Sequence, residues 1–224
     1  MLKVVASAEY DGEIEWFSPD YTPPIFNIRV GRSRSEPTAV WRVEPPRATL
    51  AESSLLDVYV HRSDGSLRDI EFSGIRKDWI EFVDDDFRFL SEGVKGVPIV
   101  DTMLWEDTGQ QMRKGAPWPR VIERMPLRLF VGKDACSLQI GEATESSKVV
   151  AFDRFRLGLD RDRNLGRIDV IGLSPEKIRD IRQYRESPPG GIPPTKPGLL
   201  RLLRWETGML LRRLRWTWLL NRSG

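Results

Sequence analysis

Apolar and polar residues alternate with a period of two from the start of the chain to residue 172, the mark of half-buried strands. The alternation predicts strands at 2–8, 12–17, 25–31, 38–43, 56–61, 67–73, 78–83, 127–132, 147–152, 155–159 and 166–172. Asp11-Gly12, Ser63-Asp64-Gly65-Ser66 and Asp160-Arg161-Asp162-Arg163-Asn164 mark tight turns, because short polar side chains there bond to their own backbone. Turns of this length join hairpins, and hairpins make antiparallel sheets. The expected class is therefore mainly β (a β-rich α+β chain), with helix confined to the far end.

Within that pattern one stretch recurs without gaps, 98 positions apart, around a pair of glycines. Leu67, Ile70, Glu71, Phe72, Gly74, Ile75 and Ile80 are answered by Leu165, Ile168, Asp169, Val170, Gly172, Leu173 and Ile178. Upstream, Phe26-x-Ile28-x-Val30-Gly31-Arg32 is echoed by Leu127-x-Leu129-x-Val131-Gly132-Lys133. The chain reads as two related antiparallel units packed as a sandwich or saddle, since a duplicated unit buries its apolar face against its sibling. The boundaries are a first unit at 1–95, a connector rich in glycine and proline at 96–126, and a second unit at 127–186. The connector carries Met103-Leu104-Trp105 as a segment to be buried.

Ser174-Pro175-Glu176 supplies a capping hydroxyl, a proline at the first helical position and an acid in the first turn, so a helix follows over about 175–186. Prolines between 188 and 197 end it and make 187–198 a linker, extended at its Pro-Pro pairs. Beyond it, 199–224 reads as an amphipathic helix. On a wheel of about 100° per residue, Arg204, Arg212, Arg215 and Arg222 fall within roughly 60° of Arg201. Leu202, Leu203, Met209, Leu210, Leu214, Trp218 and Leu220 take the other arc, with Trp205 and Trp216 at its borders. Such a face suits docking on the chain's own sheet, on a partner or second copy, or on a membrane surface.

Charge sharpens this picture. The net +2 of the 224 residues divides into +6 over 196–224 and −4 over the rest. An acidic body argues against nucleic acid, although arginines interleaved with aromatics suit it in general. The single cysteine, Cys136, forms no internal disulfide and points to the cytoplasm by default, with peripheral membrane attachment through 199–222 as the alternative. The amino terminus turns acidic at Glu9 before an apolar core develops, and reads as a strand in place of a signal peptide.

Candidate chemistry is sparse. One histidine and one cysteine do not make a zinc shell. Asp160-x-Asp162-x-Asn164 opens like a calcium loop, but Leu165 stands where glycine is required and Ile171 where a bidentate glutamate is, so a hairpin turn is the reading. His61, Ser63 and Asp64 are triad residue types crowded into one turn, where they diverge; His61 belongs at a strand end. Cys136 reads as a small buried residue. Asp84-Asp85-Asp86, after Glu81, reads as a solvated turn, and Gly190-Gly191 does not join a strand to a helix as a phosphate loop must.

No catalytic, metal or cofactor residues are assigned. The expected function is that of a non-catalytic binding or adaptor protein, which recognises a peptide or protein partner through a sheet groove or edge. Trp16, Tyr21, Trp41, Trp105 and Trp118 are the anchor candidates. Arg201, Arg204, Trp205, Leu210, Arg212, Leu214, Arg215 and Trp218 are the candidates for docking or homodimer formation through the tail. A carboxylate-dependent hydrolase using Asp84, Asp86 or Asp101, and a peripheral membrane or assembly subunit, are the alternatives.

Overall fold

The computed structural model describes residues 1–9, 14–17, 26–30, 38–46, 55–73, 75–90, 92–106, 119–142 and 145–187; for 14–17, 26–30 and 73 it describes the backbone alone. Tyr21, Trp118, most of the linker and the entire 199–224 segment lie outside the described residues. In chain order the strands are β1 Val4–Ala8, β2 Ile14–Phe17, β3 Phe26–Val30, β4 Thr38–Glu44, β5 Leu55–His61, β6 Leu67–Ser73, β7 Ile80–Phe82, β8 Val94–Lys95, β9 Val97–Val100, β10 Arg120–Arg124, β11 Leu127–Val131, β12 Ala135–Ile140, β13 Lys148–Phe152, β14 Phe155–Leu159 and β15 Leu165–Ile171. Helix α1 is Met103–Glu106 and α2 is Pro175–Glu186. The fold is mainly β.

The strands form a six-stranded sheet in the order β10-β4-β5-β6-β3-β2, a seven-stranded sheet in the order β7-β11-β12-β15-β14-β13-β8, and a two-stranded ribbon, β1-β9. Both large sheets contain one five-strand motif. A hairpin (β2-β3, β11-β12) is followed by a meander (β4-β5-β6, β13-β14-β15) whose last strand returns beside the second strand of the hairpin. Every pairing within each motif is antiparallel. Each motif also carries a parallel strand outside the first strand of its meander, β10 on β4 and β8 on β13. The sheets are thus mixed, a correction to the purely antiparallel expectation: hairpins build the motifs, but the edge strands arrive by long crossovers that reverse their direction.

The echo at 67–80 and 165–178 falls on β6 and β15, which occupy the same place in the two motifs. The upstream echo does not. By sheet order the counterpart of β3 is β12, and that of β11 is β2, so the matching of 26–32 to 127–133 slips by one strand. Unequal loops explain the slip: β4 and β5 are joined by 45–54, whereas β13 and β14 are joined by 153–154 alone.

The ribbon touches the same turn in both motifs. The N–H of Val4 donates to the Arg163 carbonyl at 3.0 Å, and that of Leu165 to the Leu2 carbonyl at 2.8 Å, both at the β14-β15 turn. At the β5-β6 turn, the Val100 N–H donates to the Gly65 carbonyl at 2.8 Å. One hydrophobic cluster runs through both motifs, including Trp41, Val58, Ile70 and Phe72 of the first sheet and Leu129, Leu138, Phe155 and Ile168 of the second. Burial of this set is the main drive for folding.

The chain leads from edge strand β7 to edge strand β8 of the seven-stranded sheet, and its residues 87–90 lie on one face of that sheet. Six gaps between strands amount to about 29 Å at the usual spacing, and residues 83–93 reach about 36 Å when extended, so the segment has little slack. Phe87 stacks on Phe130 at 5.1 Å, the Leu90 N–H donates to Asp169 Oδ2 at 2.6 Å, and Arg167 Nη2 donates to the Arg88 carbonyl at 2.8 Å. Asp169, itself ion-paired to Arg167, is fully buried beneath this strap.

Helix α2 starts as its sequence predicts, with the Lys177 N–H donating to Ser174 Oγ at 3.2 Å. Ile178 and Ile181 enter the core, and the Tyr184 hydroxyl donates to the Ile75 carbonyl at 2.8 Å. The α2 face so joins the second motif to the chain segment that follows β6.

Candidate functional site

Edge strand β10 owes its conformation to Val121-Ile122, β-branched residues between Pro119 and Pro126. Two backbone bonds set the phase of its pairing with β4: the Val40 N–H donates to the Pro119 carbonyl, and the Met125 N–H to the Glu44 carbonyl, both at 2.9 Å. With Arg120 in register with Val40 and Arg124 with Glu44, the backbone groups of Val121 and Glu123 face β4. Those of Arg120, Ile122 and Arg124 face outward. Among the described residues no strand pairs with that side of β10.

The side chains agree with this geometry. Ile122 is 41% exposed and Arg124 is exposed, while Val121, on the opposite face, packs against the core. Glu123 is held by the amino-terminal ammonium of Met1 at 2.5 Å. Trp105 of α1 is buried beside the same edge, its indole N–H donating to the Val40 carbonyl at 3.1 Å.

Inward from Ile122 a polar row crosses the first sheet, in register through Arg42, Asp57 and Glu71. Arg42 holds the buried Asp57 in a two-point ion pair, Nε to Oδ1 at 2.6 Å and Nη2 to Oδ2 at 2.5 Å. The hydrogen bond to Asp57 raises the Arg42 pKa against the opposing effect of burial. The Tyr59 hydroxyl lies 3.3 Å from Asp57 Oδ2 and 3.3 Å from Glu71 Oε2, and its single proton serves one at a time. Burial, then the two carboxylates, push the Tyr59 pKa up.

A separate groove of about 660 Å³ lies where β7 and β11 meet α2, lined by Phe82, Asp84–Asp86, Gly132, Lys133, Ile178 and Arg182 among others. Asp84, Asp85 and Asp86 are exposed in a turn closed by the Phe87 N–H on the Asp84 carbonyl at 3.1 Å. Arg182 sits over the Phe82 ring at 4.6 Å. Asp101 is not among the lining residues: its carboxylate accepts the Met103 N–H at 3.1 Å at the start of α1. Among the described residues no three His, Cys, Asp or Glu side chains converge to hold a metal ion.

The remaining candidates resolve into structural parts. Trp41 is fully buried, with no partner for its Nε1 among the described residues, and Trp105 is 6% exposed. Neither presents its ring at the surface, which corrects their assignment as anchors: aromatic rings beside long apolar runs fill the core first. Trp16 lies on β2 in register with Ile28. Met103, expected inside with Trp105, is 52% exposed. His61 ends β5, half-buried, while the Asp64 carboxylate accepts both the N–H and the hydroxyl of Ser66, at 2.9 and 2.7 Å. Asp160 Oδ1 accepts the N–H groups of Asp162 and Asn164 at 2.9 and 2.8 Å, so the 160–164 segment is a hairpin turn whose carboxylate is occupied by its own backbone. Cys136 is buried, and burial first, then Asp169, drives its pKa upward.

The β10 edge was missed by sequence reasoning. Its signal was the Val-Ile pair bracketed by prolines, masked by the glycines and prolines of the surrounding connector. No family model and no curated protein matches the chain. Among the described residues no helix is long and apolar enough to cross a membrane.

Proposed function

We propose that this protein is a non-catalytic binding or adaptor protein, which takes up an extended segment of a protein or peptide partner as an added strand outside β10. The observation that carries the reading is the outward row of backbone groups at Arg120, Ile122 and Arg124, on a strand of ordinary length with an exposed Ile122 at its centre. The other edges of the two large sheets are shorter: β2 is four residues long, β7 three, and β8 two, turning at Gly96 into the ribbon. The basic amphipathic pattern of 199–222 supplies a second contact in this proposal, by self-association or by docking on the partner's assembly or its membrane.

The test is Ile122→Pro. Proline removes an outward N–H while leaving the bonds between β10 and β4 in place. Short fluorescent peptides with alternating Val and Thr, made in acidic, neutral and basic versions, are titrated against both proteins by anisotropy. At least one version binds the native chain and is lost in the variant at unchanged melting temperature. Equal binding to both proteins, or binding of none, refutes strand addition at β10.

A further inference from the structure

We infer that the segment received by β10 is acidic at alternate positions, with an apolar residue between two carboxylates. This rests on strand addition at that edge and specifies the partner's chemistry.

Arg120, Ile122 and Arg124 share one face of β10, each about 6.7 Å from the next. Residues directly opposite them on an added strand lie about 5 Å away between Cβ atoms. An acidic-apolar-acidic triplet, at every second position, therefore meets both guanidiniums and covers Ile122. Among the described residues neither Arg120 nor Arg124 has an ion-pair partner, and Glu44, in register with Arg124, is not joined to it. The next cation inward, Arg42, is committed to Asp57, and Glu123 lies on the opposite face with the Met1 ammonium. Among the described residues two cations thus lack an ion-pair partner on an edge whose outward backbone groups are also unpaired.

The net −4 outside 196–224 opposes an acidic ligand at long range. At physiological ionic strength, however, charges beyond about 8 Å are largely screened, so the two arginines at contact distance decide the preference. Arginine on an edge strand also guards against aggregation. That role alone predicts rejection of every added strand, whatever its charge.

The three peptide versions separate these outcomes. The acidic version binds the native chain about fivefold to tenfold more tightly than the neutral one at low salt, the sum expected of two exposed ion pairs. The basic version binds more weakly than both. In the double variant Arg120→Glu with Arg124→Glu the order reverses, and in Arg120→Gln with Arg124→Gln it collapses to near equality. Arg62→Glu, exposed on the β5-β6 turn and not on a strand that neighbours β10, leaves it unchanged. If Ile122→Pro abolishes binding yet all three versions bind the native chain equally, or the basic one binds best, the acidic partner is refuted while strand addition stands. If the acidic preference survives both double variants, its source lies elsewhere and the inference also falls.

Discussion

The buried carboxylate of Asp169 accepts the backbone N–H of Leu90, 79 positions earlier in the chain, at 2.6 Å. The same carboxylate pairs with Arg167, which reaches on to the Arg88 carbonyl and lies over the Phe87 ring at 5.3 Å. Two residues of β15 so fasten the strap across the second sheet. Asp169→Asn keeps an acceptor for Leu90 but removes the ion pair, whereas Asp169→Leu leaves both Leu90 N–H and Arg167 uncompensated. The expected losses are about 1–2 kcal/mol for the first and about 3–5 kcal/mol for the second, or roughly 10 °C in melting temperature for the leucine variant. Calorimetry checks this, and a leucine variant within about 1 kcal/mol of native would show that the strap is held by Phe87 and Leu90 packing alone.

The buried Cys136 thiol makes the fold sensitive to alkali. Burial raises its pKa above the ordinary 9.0, so the folded chain retains a proton that the unfolded chain releases. Its contribution is therefore complete below pH 9.0 and declines as pH rises above that value, by up to about 1.4 kcal/mol per pH unit. Tyr59 and Tyr184, also raised by burial, add to the decline only above their ordinary 10.0. Urea unfolding across this range gives a shallower slope for Cys136→Ala than for the native chain, with the difference opening first near the thiol value. Parallel slopes would mean that the thiol ionises equally in both states.

Gly65 and Gly172 have nearly the same backbone, φ +72° and +69°, in unlike surroundings. A Cβ at Gly65 would lie 2.0 Å from the Val100 carbonyl oxygen, at the bond that ties the β5-β6 turn to the ribbon, while one at Gly172 meets nothing within 4 Å. Gly172→Ala costs about 1 kcal/mol from the left-handed backbone alone. Gly65→Ala costs at least about 2 kcal/mol, because backbone must move as well. Denaturant midpoints of the two variants check the ranking, and equal costs would show that the ribbon yields freely.

Much of the first motif and the second meander was legible from alternation, because β5, β6 and β14 carry one apolar and one polar face. Strand β12, Ala135–Ile140, was missed because it is buried at nearly every position and so does not alternate. Strand β9 contains Pro98, tolerated because it lies in a two-stranded ribbon. The echo of Leu67–Phe72 in Leu165–Val170 falls on strands that hold the same place in the two sheet orders. Pairing across long crossovers was not legible. Parallel contacts of β7, β8 and β10 depend on where the chain returns after many residues, and local pattern does not encode that. For the same reason the candidate site, an edge made by such a return, was expected in kind but not in place.

Amide hydrogen exchange along 120–124, read residue by residue by NMR on the free full-length chain, tests the account most directly. The amides of Val121 and Glu123, bonded toward β4, exchange slowly, while those of Arg120, Ile122 and Arg124 exchange at rates near those of exposed peptide. Uniform protection of all five would mean that the outer side of β10 is already occupied, and strand addition there would be wrong.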